Sequence, residues 1–506
     1  MPPIRRSSWP DRASAVVAAA VGVLLAPSAA AEPAPPPRAD SVASVVTPRP
    51  PGEPVVPAPA PTSGERELTA RDVAAAPLPG FESGRVDEID DGDSALRKVG
   101  RGVLFVPRYV VDLALTPLRG ALWLTERYHL PARYRELFFN DAQTIGLYPT
   151  VVVDSSLGIT AGAAFVHRDL FGERERLRLQ AAVGSRYRQI YSAGFATGDR
   201  LGRHFSLELD AGYERRPHDA FYGIGNGDTV DELPAGAPID PRVDPTAMEA
   251  RYRQDRARLR VTADVRLWND LHLRPAGELS EVSFGGGDEG DPITTRYDRA
   301  GLVGFDGIEY SYAELELRWD SRHAVTVMEP GSVPSAGTLA AVFGGRVNRI
   351  DRGPDFYRYG ADLAKFYRLA RGPRVIVAKL HGEGVTGSRD EVPFTELPKL
   401  GGPTYLRGYE LDRFRDRVSA FGTLAYQWDL SQWVSASLFT DVGRVYPSLS
   451  DLSVDHLRMG YGVSVQGHSL DSFLMELSVA SSIDGGLFLT LSFNPVYDLD
   501  QRVRRR

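Results

Sequence analysis

The chain has 506 residues, 25% charged and 42% hydrophobic, with 59 Lys+Arg against 66 Asp+Glu for a formal charge of -7. That polarity excludes a bundle of membrane-spanning helices, and the mildly acidic balance leaves no basic footprint for nucleic acid. With no cysteine, the chain has no disulfides, thiolate metal sites, cysteine nucleophile or lipidated N-terminal cysteine.

At the start, Arg5, Arg6 and Arg12 precede an apolar run from Ala13 to Ala26, then Pro27 and the small residues Ser28 to Ala31. The run is shorter than the roughly 20 residues a spanning helix needs. It reads as a secretory signal peptide, residues 1–31, cleaved after Ala31. Residues 32–94 are a Pro/Ala-rich linker that buries no core, and they end in the acidic cluster Asp87-Glu88-Ile89-Asp90-Asp91-Gly92-Asp93. A calcium loop starting there would need a carboxylate where Lys98 stands, so the cluster reads as a solvated loop. Residues 95–142 carry short apolar stretches, Val103 to Leu115 and Gly120 to Leu130, broken by Pro107, Pro117 and Pro131. They predict a short helical neck that lies on a membrane surface, with Trp123, Tyr128 and Leu130 at the interface, or serves as a packed connector.

From residue 143 to 495 the pattern changes to period two. Phe205 to Glu214 alternates apolar and polar, as do Leu259, Val261, Ala263, Val265 and Leu267 against Arg258, Arg260, Thr262, Asp264 and Arg266. About sixteen such strands, many of bilayer length, predict an all-β fold: a sixteen-strand antiparallel transmembrane β-barrel with a charged, wet lumen. A lipid environment demands closure, because every backbone amide needs a partner there. Residues 496–506 form a basic tail.

The most informative stretch is Lys399 to Tyr409, in which the reversal Gly401-Gly402-Pro403 leads to Leu406-Arg407-Gly408-Tyr409. Downstream, Phe439-Thr440-Asp441-Val442-Gly443 lies on a strand whose parity directs Ser435, Ser437 and Asp441 inward and Val434, Ala436 and Leu438 to lipid. With these motifs the chain resembles the bacterial surface antigen family of outer-membrane barrels, the BamA/TamA-like assembly barrels and two-partner secretion transporters. Asp320-Ser321-Arg322 with Pro330-Gly331, and Phe221-Tyr222-Gly223-Ile224-Gly225-Asn226, are similar to further family motifs. The resemblance implies a sixth extracellular loop tucked into the barrel, with Arg407 at its tip meeting Asp441 and Leu406, Gly408, Tyr409, Phe439 and Gly443 shaping the contact. It implies an outer-membrane location, surrounding lipid and lipopolysaccharide, a polypeptide client or periplasmic partner, and neither cofactor nor catalytic residue.

The likeness covers about residues 143 to 493. Glu32 to Asn140 has neither room nor pattern for the periplasmic POTRA units of full assembly factors, which argues against an essential assembly role. Ala425 stands where relatives often carry an acidic lumen residue, predicting a reduced polar network. Pro149 in the first strand and Gly485-Gly486 before the last predict a weak lateral seam. Enzyme signatures such as Gly-x-Ser-x-Gly, His-Glu-x-x-His and the P-loop do not occur. Asp288-Glu289-Gly290-Asp291 reads as a solvated turn. The expected activity is therefore insertion, translocation or organisation of polypeptide or lipid. A passive or gated solute channel is the alternative, and an outer-membrane enzyme such as a lipase is the third class.

Overall fold

A computed structural model describes residues 136–142, 144–154, 158–228, 238–242, 248–287, 290–322, 336–369, 374–431, 434–468 and 473–492. The signal peptide, the linker, the neck up to residue 135, Pro330-Gly331 and the C-terminal tail lie outside the described residues.

The strands are β1 (Ile145–Asp154), β2 (Gly158–His167), β3 (Arg176–Gly184), β4 (Gln189–Ala196), β5 (Phe205–Phe221), β6 (Ala250–Arg266), β7 (Leu271–Gly286), β8 (Ile308–Asp320), β9 (Gly337–Arg349), β10 (Phe356–Arg368) and β11 (Arg374–Val385). They continue as β12 (Lys399–Leu400), β13 (Phe414–Arg415), β14 (Val418–Ser431), β15 (Val434–Tyr446), β16 (Arg458–His468), β17 (Phe473–Ser482) and β18 (Leu487–Ser492). All but β12 and β13 close into one sixteen-strand antiparallel barrel in chain order. β12 and β13 form a small ribbon within the β11–β14 loop.

Period-two sequence becomes a two-sided wall. In β8, Tyr310, Tyr312, Glu314 and Glu316 are buried on the inner face, while Leu315, Leu317 and Trp319 are exposed on the outer one. β10 repeats this with Arg358, Asp362 and Phe366 inside and Tyr357, Leu363 and Tyr367 outside. The outer apolar face suits hydrocarbon; the inner charges are buried and must be paired. Arg260 donates to Glu278 and Glu314, each at 3.1 Å. Arg358 meets Glu383 at 3.1 Å, and His381 Nδ1 lies 2.8 Å from Asp362.

One stretch of the lumen wall is apolar instead. Leu339, Ala341, Ala364, Phe366, Val375, Val377, Ala425, Phe439 and Ala480 form a buried cluster. The loss of polarity expected at Ala425 is shared by its neighbours in this stretch, and the wall from β5 to β8 keeps dense charge pairing.

Where the chain enters, the last neck residues are tied to β1. Asn140 Oδ1 accepts from the Thr144 and Ile145 amides at 2.8 and 3.0 Å, and the Phe139 ring stacks on Tyr148 at 5.9 Å. At the opposite end, loop residues close over the lumen around Phe394. Its ring centroid lies 5.4 Å from those of Phe221, Tyr252 and Phe284. Ile224, Ile293, Tyr297, Leu302 and Val392 are buried in the same cluster.

Candidate functional site

The loop from 386 to 417 joins the eleventh and twelfth barrel strands, so it is the sixth at its end of the barrel. It turns back through Gly401 and Gly402, whose φ angles of 109° and 90° suit glycine. The Gly401 amide donates to the Tyr405 carbonyl at 2.8 Å and the Gly402 amide to that of Tyr409 at 3.0 Å. Leu406 takes a positive φ of 66°, a conformation costly for a residue with a Cβ. Its side chain is wholly buried with Leu400, Tyr405, Tyr409, Phe414, Phe421 and Val445, which holds it there.

That turn delivers Arg407 to Asp441. The Arg407 amide and Nε donate to one carboxylate oxygen at 2.9 and 2.8 Å, and Nη2 donates to the other at 2.8 Å. Thr423 Oγ1 adds a fourth donor at 2.8 Å. Both side chains are shielded from solvent, at 2% and 0% exposure. The guanidinium lies 3.3 Å from the Phe439 ring centroid, so Phe439 serves as its apolar floor. Two glycines make the approach feasible: a Cβ on Gly408 would sit 2.2 Å from the Ser481 carbonyl oxygen, and one on Gly460 1.7 Å from that of Arg407. Gly443 leaves room for Leu400, whose Cδ1 would lie 3.1 Å from an added Cβ.

Tyr409 reaches further round the wall, its hydroxyl donating to Asp484 at 2.8 Å. Burial, with that carboxylate beside it, pushes the phenol up to about 12. Elsewhere on the loop, burial pushes the Lys399 ammonium down to about 8, although Asp412 at 3.2 Å opposes the shift.

Several anchors escaped sequence reasoning. Glu396 accepts from Arg256 at 2.7 Å and Arg358 at 3.1 Å, tying the loop to β6 and β10. Its signal was a lone carboxylate in Pro393-Phe394-Thr395-Glu396-Leu397-Pro398. Tyr405 stacks on His381 at 4.4 Å. Arg415 is fully buried beside the Phe221 ring. Asn226, in a motif noted without a role, exchanges hydrogen bonds of 2.8 and 3.1 Å with the Val445 backbone. Asp320 and Arg322 form a two-pronged pair at 2.8 and 2.7 Å. Asp291, in the acidic turn, pairs with Arg296 Nε at 2.9 Å.

The residues expected at the seam are not gathered in one place. Pro149 stands mid-strand in β1, opposite Ala163 of β2, whereas Gly485 and Gly486, with φ of 94° and 88°, form the turn before β18. Among the described residues, β1 is laddered to β2 from Ile145 to Asp154 but to β18 only at Val153↔Leu491 and Asp154↔Thr490.

No curated protein matches the chain. Among solved structures, BamA from Haemophilus ducreyi lacking POTRA domains 1-3 is similar with a TM-score of 0.49 and 14% identity, over 69% of this chain and 70% of that one. CdiB from Acinetobacter baumannii gives 0.41 and 9% over 69% and 60% of the two chains, and CdiB from Escherichia coli 0.43 and 10% over 68% and 62%. The chain thus spans less than two thirds of either CdiB. The model of the Omp85 superfamily domain matches residues 169–484, more than half of the chain. With that match carried on a closed sixteen-strand barrel, the chain belongs to the Omp85 superfamily and is a bacterial outer-membrane protein.

Proposed function

We propose that the barrel inserts, translocates or organises polypeptide or lipid at the outer membrane through the β1–β18 seam. The sixth loop acts as the lock that holds the lumen wall beside it. The observation that carries this reading is the seam ladder, which among the described residues holds two residue pairs, beside a β1–β2 ladder that runs the whole strand. In hydrocarbon each unpaired backbone group costs several kcal/mol. Parting the wall therefore costs least where fewest pairs must break, and an incoming strand can replace them. The apolar cluster around Phe394 fills the extracellular end of the lumen, which weighs against a passive solute channel. Catalytic residues have no part in this reading. The partners are membrane lipid and lipopolysaccharide together with a polypeptide client or periplasmic partner.

The test is reconstitution in liposomes with an unfolded outer-membrane polypeptide as client. Since the chain has no cysteine, Val153→Cys with Leu491→Cys gives one defined disulfide across the seam. Liposomes carrying the reduced barrel should fold the client faster than empty ones, oxidation should abolish the gain, and reductant should restore it. Equal rates with and without the barrel, or full activity of the oxidised form, would refute the proposal.

A further inference from the structure

Building on the seam reading, we propose that Asp484 is the positioning residue through which the sixth loop governs the seam strand. The loop tip rests against the segment that leads into β18 as well as against Asp441. Gly408 packs on the Ser481 carbonyl so closely that a Cβ would come within 2.2 Å of its oxygen. One residue on, the Tyr409 hydroxyl donates to Asp484 at 2.8 Å, in the turn between β17 and β18.

That turn has little shape of its own. Asp484 is followed by Gly485 and Gly486, both at positive φ, and β18 begins at Leu487. Two successive glycines impose almost no conformational preference, so their neighbours must set the path of the chain. Ser482 Oγ and Ser481 Oγ hold the Gly485 and Gly486 carbonyls, each at 2.7 Å, and Asp484 supplies the longer-range tether. From the other side Arg458 Nη1 donates to Asp484 at 2.9 Å, and Arg458 Nη2 continues to Asp228 at 2.9 Å and to the Asn226 carbonyl at 3.1 Å. Asp484 is thus where the loop tip, the third extracellular loop and the turn before the seam strand meet.

The strengths of these links suit a coupling device. The Arg407–Asp441 pair is sealed from water, while the Asp484 side chain is 43% exposed, so its hydrogen bonds exchange readily with solvent. Withdrawal of Tyr409 leaves the carboxylate to Arg458 alone, the glycine turn relaxes, and β18 loses the loop's constraint at its extracellular end. The β1–β18 ladder is then left to hold the seam alone.

Hydrogen exchange read by mass spectrometry on the full chain in lipid nanodiscs tests this without a client, so its outcome is independent of the insertion activity. Tyr409→Phe removes only a hydroxyl and Asp484→Asn only a charge, and both should keep the heat-modifiable gel shift of a folded barrel. Each should speed exchange of residues 487–492 by about fivefold, the change expected for one partly exposed hydrogen bond to a charged group. The double variant should match the singles, β9 and β10 should be unchanged, and Asp484→Glu should restore slow exchange. Unchanged exchange at 487–492 in both single variants, or equal acceleration in β9 and β10, would overturn the proposal.

Discussion

The wall from β5 to β8 and the wall from β16 through β18 to β2 are built on different terms. β5 and β6 each run 17 residues and β7 runs 16, whereas β1 and β2 run 10. Inside, the long wall is stapled by charge, with Arg260 on Glu278 and Glu314 and with Arg188 and Arg216 on Glu214. The short wall presents the buried hydroxyls of Thr150, Thr160, Ser464, Ser478 and Ser482, with a single buried carboxylate, Glu476, beside Gln466 among the described residues. A paired charge inside the lumen accepts few substitutes for its partner, because an unpartnered ion there is expensive. A hydroxyl accepts many partners at little cost. The molecule concentrates rigidity on one side and leaves the other able to change its neighbours, which is where motion is expected when stability is unevenly distributed.

The contrast can be broken by substitution. Arg260→Met leaves the Glu278 and Glu314 carboxylates without their shared cation and should cost about 3 to 5 kcal/mol. The cost should appear as a lower temperature for the loss of the compact gel form. Ser478→Ala in the short wall should cost less than about 1 kcal/mol. Similar shifts for the two would dissolve the distinction.

Next in size is the loop. Arg407→Ala or Asp441→Ala should each weaken docking by about 3 kcal/mol, since each strands a buried charge, and the double variant should add little to either single. The reading is the rate of proteolysis between residues 398 and 416, with the barrel's unfolding temperature unchanged. Additive effects would mean that the two side chains do not act as a pair. The Val153→Cys and Leu491→Cys disulfide should raise the unfolding temperature by the equivalent of roughly 2 kcal/mol. A similar bridge engineered between β6 and β7 should gain less, if the short wall is the first to part.

The smallest effect is a pH dependence at the periplasmic turn between β2 and β3. Burial opposes ionisation of Glu175, yet Arg200 and the amides of the turn hold its carboxyl near 2, against an ordinary 4.5. Because the folded value is the lower one, the stabilisation is complete above about 4.5 and disappears as the pH falls toward 2. Glu175→Gln should therefore loosen residues 168–175 at pH 6, measured by local hydrogen exchange, and differ little from the parent near pH 2. A difference that persists at the acid end would assign the effect to packing.

The barrel was legible because its signal is redundant. Alternation repeats from Phe205 to Glu214 and again from Arg258 to Leu267, and in a bilayer each such strand needs partners on both sides. Arg407 and Asp441 could be singled out because motif and strand parity converged on them. Glu396, Asn226 and Asp484 could not, since each depends on partners far away in sequence, and a lone carboxylate or amide in a loop has the same appearance whether solvated or buried. Ala436 shows a finer limit: parity puts it on the outer face, yet opposite Trp428 it is only 1% exposed. Parity assigns a side, and neighbouring bulk then decides the exposure. The roles read for Pro149, Gly485 and Gly486 are matters of energetics, which the seam experiments address.

Arg407 precedes in the chain everything that receives it. Asp441, Gly460 and Ser481 all follow it, so while the chain emerges from its N-terminal end the tip has no cradle until the final hairpins exist. The sixth loop must stay undocked through most of barrel construction, and the distant contacts that seat it are slow to form. Docking then reports completion. A barrel arrested before β14 lacks Phe421, Thr423, Phe439, Asp441 and Val445 and presents its tip arginine and the strained Leu406 turn to proteases, whereas a finished one hides both. The same pair thereby distinguishes a finished barrel from one whose later strands are missing.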